Sequence, residues 1–453
     1  MKEPDPMRMN GLARRRLALG AVPALSAALV AACSGPLAAR SQTAAPAAGG
    51  PVPLLYWSQR APQDRLGQGV KAALDDYLAR NPGRVSLEIG EGGAALGMEK
   101  IKTAIAGGTP PNLYGGLYQA PAADLFALGA LLDLNTELRA NKDWARIKAD
   151  LIPSTLDGCT WKGKLTMMPM MLAQQVLGIN KHIMARAGVP LPPHGFTWND
   201  FLDFGRKVID PPDRVLFPFN YTWSALMSWL LANGLQPMNK ERTKLLYDTP
   251  EMRETVQWLH DQVTRGIARN GPSNFNDGGS VTESVNEAAA TPPPRFPNVD
   301  PGDGSGIHVT HFPFGPANTR KLVATYANNY GLVALKSPDA RQVALSAEIA
   351  GWAGRADVQT KIAEASGHPP SSLTAAREEN LPRRIKDNPI LNKINEFGKY
   401  SYLTPNFPNW TAAADILTQN LGRVARGELL PRDALADAQQ RMQPLIDEDL
   451  KRG

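Results

Sequence analysis

Aromatic and amide side chains are the residues of this chain best suited to hold a ligand, and several follow predicted strands. Ligands of open α/β sheets bind outside the carboxyl ends of the strands. The predicted first strand ends at Trp57, Ser58, Gln59 and Arg60, and the third ends at Tyr118 and Gln119. A later apolar run carries Gln174 and Gln175, and buried amides need polar partners, so at least one should face a cleft. The pattern identifies these residues as candidate ligand contacts.

Motifs that would indicate catalysis or metal binding are weak in their contexts. The segment GCTWKGK (158–164) matches a phosphate-binding loop, but Leu165 replaces the required hydroxyl residue and a strand is predicted next. The segment GEGGAA (90–95) is a lone, loose dinucleotide pattern. In a strand, His308 and His311 would point to opposite faces. We therefore expect no cofactor, no metal site and no catalytic residue.

The elements that would position these residues alternate between strand and helix in the first third of the chain. This alternation predicts a parallel sheet and an α/β fold. Residues 161–189 predict a strand, a break at Pro169, another strand and a helix. Further helices are predicted around 197–209, 224–234 and 251–266, and from about Trp410 to Lys451 with a break at RGELLPRD (426–433). The stretch TPPPRFPNVDPGDGSG (291–306) predicts a surface loop.

Composition indicates a soluble globular protein. The 453 residues are too many for one core, so two or three domains are expected. Apolar residues make up 43% and charged residues 20%. Residues 1–32 supply three of the six net positive charges, and the rest is too mildly basic to indicate nucleic-acid binding.

The N-terminal stretch RRRLALGAVPALSAALVAACSG (14–35) predicts an export signal. Arginines precede a short apolar run that ends in small residues before Cys33. The ending resembles the bacterial lipobox, which implies cleavage after residue 32 and lipidation of Cys33, while the arginine cluster loosely resembles a twin-arginine signal. A retained anchor helix is the alternative, but Gly20 and Pro23 interrupt the run. Residues 33–52, rich in Ala, Pro and Gly, predict a flexible tether.

Several phrases of the chain resemble the family 1 extracellular solute-binding proteins of ABC importers, which include maltodextrin-binding proteins. The phrases follow one another over about 53–445 in the order typical of that family: IKTAIAGGTPPNLYGG, WKGKLTMMPMMLAQQVLGINKHIMARAGV, PPHGFTWNDFLDFGRKV, and YANNYGLVALKSPDARQVALSAEIAGWAGRADVQTKIAEASGHPPS. No single phrase is decisive, but their shared order and spacing are specific together.

The resemblance implies a type II-like periplasmic-binding-protein fold with two discontinuous α/β lobes. The chain would cross between them near Met168–Leu172, Pro313–Leu322 and His368–Ser372. The N-terminal lobe is then 53–168 plus 323–368, and the C-terminal lobe is 172–313 plus 372–450. A ligand held between the lobes would favour the closed state.

The resemblance also implies which loops contact the ligand. It places contacts at the loops named above and adds Tyr221 and Trp223, the latter where the family often has a stacking aromatic. Asn328 and Asn329 stand where the family often has two glycines. The remaining candidates are Arg295, Phe296 and Trp410, while Trp229 is expected in the core.

The expected function is the substrate-binding component of an ABC importer. Its ligand is expected to be a sugar or oligosaccharide, neutral or mildly acidic, although a polyol phosphate or another small organic solute stays open. Its partners would be the permease subunits and, through the lipid anchor, a bacterial membrane, with the chain itself a monomer. A secreted glycoside hydrolase is the alternative, and it would need two carboxyl groups facing one cleft.

Overall fold

The computed structural model describes residues 50–92, 97–271, 275, 278–286 and 306–452. The expectations for the signal segment 1–32, for Cys33 and for Arg295 and Phe296 fall outside these ranges. Within them, no helix combines the length and the apolar character needed to cross a bilayer.

Twelve strands lie in the described residues, and eight of them form one mixed sheet. They are β1 (Val52–Ser58), β2 (Val85–Gly92), β3 (Leu113–Tyr118), β4 (Thr160–Trp161), β5 (Lys164–Leu165), β6 (Met168–Asn180), β7 (Phe217–Pro218), β8 (Ala268–Arg269), β9 (Thr282–Val285), β10 (Ile307–Thr310), β11 (Thr325–Ala334) and β12 (Ser401–Leu403). The main path is β10-β6-β11-β3-β1-β2, with β12 paired to β11 and β9 paired to β6. The predicted parallel pairing is confirmed for β1 with β2 and β3. However, β11 runs antiparallel to both β3 and β6.

Sixteen α-helices cover the sheet and build the C-terminal part. They are α1 (Arg65–Arg80), α2 (Met98–Ala106), α3 (Gln119–Ala127), α4 (Leu134–Glu137), α5 (Trp144–Asp150), α6 (Pro153–Gly158), α7 (Lys181–Arg186), α8 (Trp198–Gly205), α9 (Trp223–Ala232), α10 (Pro250–Thr264), α11 (Ala340–Ala353), α12 (Ala356–Ser366), α13 (Arg383–Lys386), α14 (Pro389–Phe397), α15 (Trp410–Ala425) and α16 (Pro431–Lys451) among the described residues. Short 3₁₀ turns occupy Glu378–Asn380 and Gly398–Tyr400.

Local sequence signals fix several helix starts. Thr197 and Asp200 form a reciprocal capping box at the start of α8. The side chain of Thr222 accepts a hydrogen bond from the Ala225 amide at the start of α9, which is where a threonine N-cap is expected. The helices predicted in these two segments are confirmed.

The strand β6 is the longest element of the sheet and runs through Pro169. The predicted break at this proline is wrong. Pro169 is the second residue of the strand and lies where the β6–β11 register shifts, between Tyr330 and Gly331, so its missing amide donor removes no regular ladder bond. The carbonyl of Pro169 accepts a hydrogen bond from Gln359 Nε2 at 2.9 Å. One continuous strand therefore connects two parts of the sheet: its first half pairs with β11 and its second half with β9 and β10.

Two large hydrophobic clusters flank this strand. The first cluster draws its buried residues from 52–171 and 332–362. The second draws most of its residues from 161–281 and 407–446, and includes Trp229, which is 3% exposed as predicted for a core residue. The chain thus contributes to each cluster from segments far apart in sequence, which requires that it pass between them more than once.

Candidate functional site

One face of the β6–β11 pair is left partly open to solvent. Residues paired across adjacent strands point to the same side of a sheet, and neighbours along a strand alternate. The register pairs Gln175 with Tyr326 and Ala173 with Asn328. Tyr330 lies on the same face of β11, next to Tyr118 of β3 in the register. We call these six residues the open face. All but Tyr326 are half-exposed although they lie in the middle of the sheet.

The amides of the open face have their oxygens occupied. Asn328 Oδ1 accepts hydrogen bonds from the Tyr326 hydroxyl at 3.1 Å and from Thr404 Oγ1 at 2.9 Å. Gln175 Oε1 lies 3.4 Å from both Ser228 Oγ and Ser284 Oγ, each of which donates to it. Each side chain therefore presents its NH₂ group, a donor of two hydrogen bonds, to whatever covers the open face.

A cavity of about 200 Å³ opens beside Gln175. Its polar lining comes from the loop after β7 and the start of α9, and from β9: Asn220, Thr222, Ser224, Glu283 and Ser284. Its apolar wall includes Phe217, Trp229 and Phe312. The cavity therefore combines aromatic surface with several convergent polar groups, the usual composition of a small-molecule site.

Most of the cavity's polar residues were not among the predicted contacts. Asn220 and Thr222 follow β7, so the rule that ligands bind beyond strand ends applies to them. The strand has only two residues, which is too short to produce an alternating pattern. Hence the signal that could have identified them was absent from the local sequence.

Trp223 forms an aromatic wall at the end of the open face nearest this cavity. It is half-buried, and its ring lies edge-on to that of Tyr326 at 5.6 Å and to that of Trp410 at 5.9 Å. Trp410 itself is 1% exposed, in the second hydrophobic cluster. Trp223 is thus available for contact, and Trp410 supports it from behind.

The opposite face of β6 and β11 carries Gln174 and Asn329, which are the chain neighbours of Gln175 and Asn328. Gln174 and Asn329 are fully buried, as is Gln119. Asn329 Nδ2 donates toward the Thr155 carbonyl at 3.5 Å and Cys159 Sγ at 3.4 Å. Its Oδ1 accepts from Ser371 Oγ at 3.1 Å, and its backbone amide donates to Gln119 Oε1 at 3.0 Å. Asn329 and Gln119 therefore belong to a buried network that joins distant segments.

We expect Asn329→Ala to lower the free energy of unfolding by about 2–3 kcal/mol, because the Ser371 hydroxyl would stay buried without its acceptor. The matched variant Asn328→Ala should cost about 1 kcal/mol or less, since the Tyr326 and Thr404 hydroxyls lie 2.9 Å apart and one can donate to the other once the Asn328 oxygen is removed. Urea unfolding of both variants measures the difference. Equal losses in the two variants would contradict the assignment of the two faces.

The residues at the end of β1 divide between different environments. Trp57 packs against Gly90, where a Cβ would come within 2.5 Å of the indole, and Lys100 Nζ lies 5.4 Å from its ring centre. The Ser58 side chain is 8% exposed and accepts a hydrogen bond from the Arg60 amide at 3.0 Å. Gln59 is half-buried, and its Oε1 has no hydrogen-bond donor within the described ranges. Trp57 therefore covers the sheet near α2, whereas Gln59 and Arg60 continue toward the open face.

Tyr221 occupies a structural position. It is 2% exposed, and its hydroxyl lies 2.9 Å from His260 Nδ1. Its φ of 50° is a left-handed conformation that few residues other than glycine adopt. Packing on the Phe219 ring at 4.7 Å holds it in the second cluster.

At the other end of the open face, Tyr118, Tyr330 and Arg60 lie together. The two tyrosine rings meet edge-on at 6.3 Å, and the Arg60 guanidinium carbon lies 5.0 Å from the Tyr330 ring centre. Burial raises the pKa of Tyr118, with a smaller upward contribution from the Asp415 carboxylate, so the hydroxyl is protonated at neutral pH and can donate a hydrogen bond.

The segment that resembles a phosphate-binding loop and the histidine considered as a metal ligand both have structural roles. The segment 158–164 ends α6 and forms the β4–β5 hairpin, with Lys162 and Gly163 in left-handed conformations at its turn. His311 Nε2 accepts a hydrogen bond from the Gly195 amide at 2.9 Å. In the described part of the chain, no three metal-binding side chains come together.

Comparison with known proteins places this geometry in a family. The family model described as bacterial extracellular solute-binding protein matches residues 61–347, more than half of the chain. No curated protein sequence matches this chain significantly.

Solved structures share the fold at low sequence identity. The cyclic alpha-maltosyl-1,6-maltose binding protein of Arthrobacter globiformis superposes with a TM-score of 0.74 at 18% identity, covering 88% of this chain and all of that one. The GacH receptor of Streptomyces glaucescens, solved unliganded and with acarbose, gives 0.71 at 16% identity, covering 88% and 99%. A solute-binding protein of Agrobacterium radiobacter in complex with ribitol gives 0.65 at 18% identity, covering 88% and 99%. These matches confirm the predicted two-lobed α/β fold. Together with the family model, they establish that the chain belongs to the bacterial extracellular solute-binding proteins.

Proposed function

We propose that this chain is the substrate-binding component of an ABC importer and that it captures a carbohydrate on the open face. The family accounts for solute binding outside the cytoplasm. The saccharide ligand is supported by the similarity to proteins solved with acarbose and with ribitol, and by the chemistry of the site. Permease subunits of the importer would receive the ligand from the closed form.

The observation that carries the proposal is the pairing of aromatic surface with amide donors. Trp223 and Tyr330 offer ring surface to the apolar faces of a sugar, and Gln175 and Asn328 offer NH₂ groups to its hydroxyls. The cavity beside Gln175 adds further hydroxyl and amide groups. Such a mixture suits polyhydroxylated ligands, which have both apolar faces and many hydrogen-bonding groups.

The proposed contact residues are therefore fewer than the sequence suggested. Gln59, Tyr118, Gln175, Trp223 and Asn328 are retained, and Asn220, Thr222 and Tyr330 are added. The buried residues Ser58, Gln119, Gln174, Tyr221, Asn329 and Trp410 are assigned supporting roles, as is Trp57 beneath Lys100.

The proposed lobes are 53–168 plus 323–368 and 172–313 plus 372–450. The two hydrophobic clusters support this division, because one draws on 52–171 and 332–362 and the other mostly on 161–281 and 407–446. The change of pairing partners along β6 supports a hinge there. Binding between two lobes would couple ligand affinity to closure.

We further propose that residues 1–32 direct export and that a lipid on Cys33 retains the monomeric protein at a bacterial membrane, with 33–52 as a tether. The lipobox-like ending VAAC supports this assignment. Mass spectrometry of the membrane-extracted protein should give a diacylglyceryl-modified N-terminal peptide beginning at Cys33. Recovery of an uncleaved N-terminus would contradict it.

Ligand-dependent thermal stability tests the proposed function. The full-length chain is heated with mono- and oligosaccharides, polyols, amino acids and oligopeptides, while tryptophan fluorescence is recorded. A specific ligand at a hundredfold excess over its Kd should raise the free energy of unfolding by about 2.7 kcal/mol. Stabilisation by amino acids or peptides alone would contradict the carbohydrate assignment, and turnover of a bound oligosaccharide would favour the hydrolase alternative.

Two glutamine variants locate the site. Gln175→Ala should abolish most of the stabilisation by the ligand. It should also lower the melting temperature without ligand, because the buried Ser228 hydroxyl loses its acceptor. The control Gln257→Ala changes an exposed glutamine of α10 that donates to Asp261 at 2.7 Å, and it should respond to ligand like the original chain. Equal ligand responses in the two variants would show that the site lies elsewhere.

A further inference from the structure

Arg60 carries a positive charge that the described part of the protein leaves without an ionic partner. Its guanidinium makes no ion pair there, and its Nε is buried without an acceptor. A buried or half-buried guanidinium is normally paired, because removing it from water without an acceptor is unfavourable. This exception lies at the end of the open face.

Arg60 is positioned by contacts at its guanidinium and along its stem. Its guanidinium lies over the Tyr330 ring, with 5.0 Å between Cζ and the ring centre. A Cβ at Gly116 would come within 2.7 Å of Arg60 Cγ, so the glycine, with its φ of 72°, leaves space for the stem of the side chain. Stacking occupies the face of the guanidinium and leaves its donors available at the edge.

Asp415, on the exposed surface of α15, is an acidic candidate for pairing with Arg60. Both charges are close to Tyr118: the Asp415 carboxylate raises the pKa of its hydroxyl, and the Arg60 guanidinium lowers it. Asp415 and Arg60 form no ion pair with each other in this structure. When the lobes close over a ligand, the guanidinium would lose more of its water, so a neutral ligand would leave its charge uncompensated.

We infer that the ligand of this site is an acidic saccharide, whose anionic substituent is bound by the Arg60 guanidinium above Tyr330. This inference rests on the proposed function and specifies its substrate class. A carboxylate or ester oxyanion can accept two parallel N–H bonds from the edge of the guanidinium, while the sugar ring packs on the neighbouring aromatic surface. The shared feature is a negatively charged group on a sugar, supplied either by a uronic acid or by a phosphate or sulfate ester.

Matched ligand pairs test the inference on the full-length chain. Titration calorimetry compares glucuronate with glucose, galacturonate with galactose, and trigalacturonate with galactotriose. Glucose 6-phosphate and galactose 6-sulfate distinguish an ester from a uronate. We expect the acidic member of at least one pair to bind at least tenfold more tightly than its neutral counterpart, with an affinity that falls at high salt.

Variants distinguish recognition of the anionic group by Arg60 from a contribution of Arg60 to the binding of every ligand. Arg60→Met keeps the apolar stem and should weaken the acidic ligand roughly 10- to 100-fold, the range expected for a hydrogen bond to a charged group, while changing neutral ligands less than threefold. Asp415→Asn should leave the affinity for the acidic ligand unchanged or increase it. The control Arg206→Met removes an exposed arginine paired with Asp203 at 2.8 Å and should have no effect.

Three results would overturn the inference. Neutral and acidic members could bind equally well, or Arg60→Met could weaken both members to the same extent. Alternatively, Arg60→Met and Asp415→Asn could weaken every ligand equally, which would mean that the two residues pair on closure. In each of these cases the proposed saccharide function stands. If the cooperatively folded protein binds no saccharide at all, the proposed function itself fails, and with it this inference.

Discussion

Acidification from pH 7 to pH 5 is expected to remove about 4 kcal/mol of the free energy of unfolding, because two histidines are buried in their neutral forms. Burial lowers the pKa of His311 to about 4, with a smaller contribution from His194. Burial also lowers the pKa of His368 to about 4, helped by the positive charges of Arg65 and Arg384 and opposed by Asp64. The unfolded chain takes up protons near pH 6.5, well before the folded one does. Stability is therefore full above about pH 6.5 and is lost as the pH falls toward 4.

The environment of His311 explains why its protonation is resisted. Nε2 accepts the Gly195 amide proton at 2.9 Å, Nδ1 lies 2.6 Å from the Phe312 carbonyl, and the ring stacks on Phe314 at 4.4 Å. A proton on Nε2 would replace this hydrogen bond by two donors facing each other. Few carboxylates titrate between pH 7 and 5, so this interval isolates the histidines.

Urea unfolding at pH 7.0, 6.0 and 5.0 measures the effect. His311→Gln retains an acceptor for the Gly195 amide and should remove about half of the pH dependence while costing some stability at every pH. His194→Gln changes an exposed histidine and should keep nearly all of the dependence. Stability that stays constant from pH 7 to pH 5 in the original chain would contradict the buried neutral state.

The elements predicted most accurately are those whose pattern is local. The heptad-like spacing of Val70, Leu74 and Tyr77 identifies α1, and all three side chains are buried against the sheet. The predicted strands 52–60 and 112–120 correspond to β1 and β3, because each is an apolar run closed by polar residues. Family phrases then supplied the order of the elements, which periodicity alone does not determine.

The candidate site was predicted less well because the direction of a side chain depends on strand pairing. Alternation requires that Gln174 and Gln175 point to opposite faces, as must Asn328 and Asn329. Which member faces solvent is decided by the packing of the sheet: Gly398 and Ser371 lie on the closed side, far away in sequence. The direction of the Trp57 side chain was also not predictable from its position, since Trp57 lies at a strand end but its ring faces α2.

Trp410→Ala is expected to lower the free energy of unfolding by about 3–5 kcal/mol and to weaken ligand binding as well. The indole is 1% exposed in the second hydrophobic cluster, so its removal leaves a large cavity. It is also the edge-on neighbour of Trp223 at 5.9 Å, so the cavity would allow that ring to leave the position it holds beside Tyr326. Denaturant unfolding and ligand titration, both at a temperature where the variant is folded, measure the two effects.

Two further substitutions distinguish a residue that supports the site from one that contacts the ligand. The Trp410 indole nitrogen has no hydrogen-bond acceptor in the described ranges, so Trp410→Phe gives up volume but no hydrogen bond and should cost less than half as much as the alanine variant. Trp223→Ala should affect ligand affinity more than stability. Because its ring is half-exposed, the free energy of unfolding should fall by about 1 kcal/mol, while ligand affinity should fall at least tenfold. If Trp223→Ala leaves ligand affinity intact, the aromatic wall of the site has another origin. If Trp410→Ala destabilises the fold without changing the affinity, Trp223 keeps its position through Tyr326 alone.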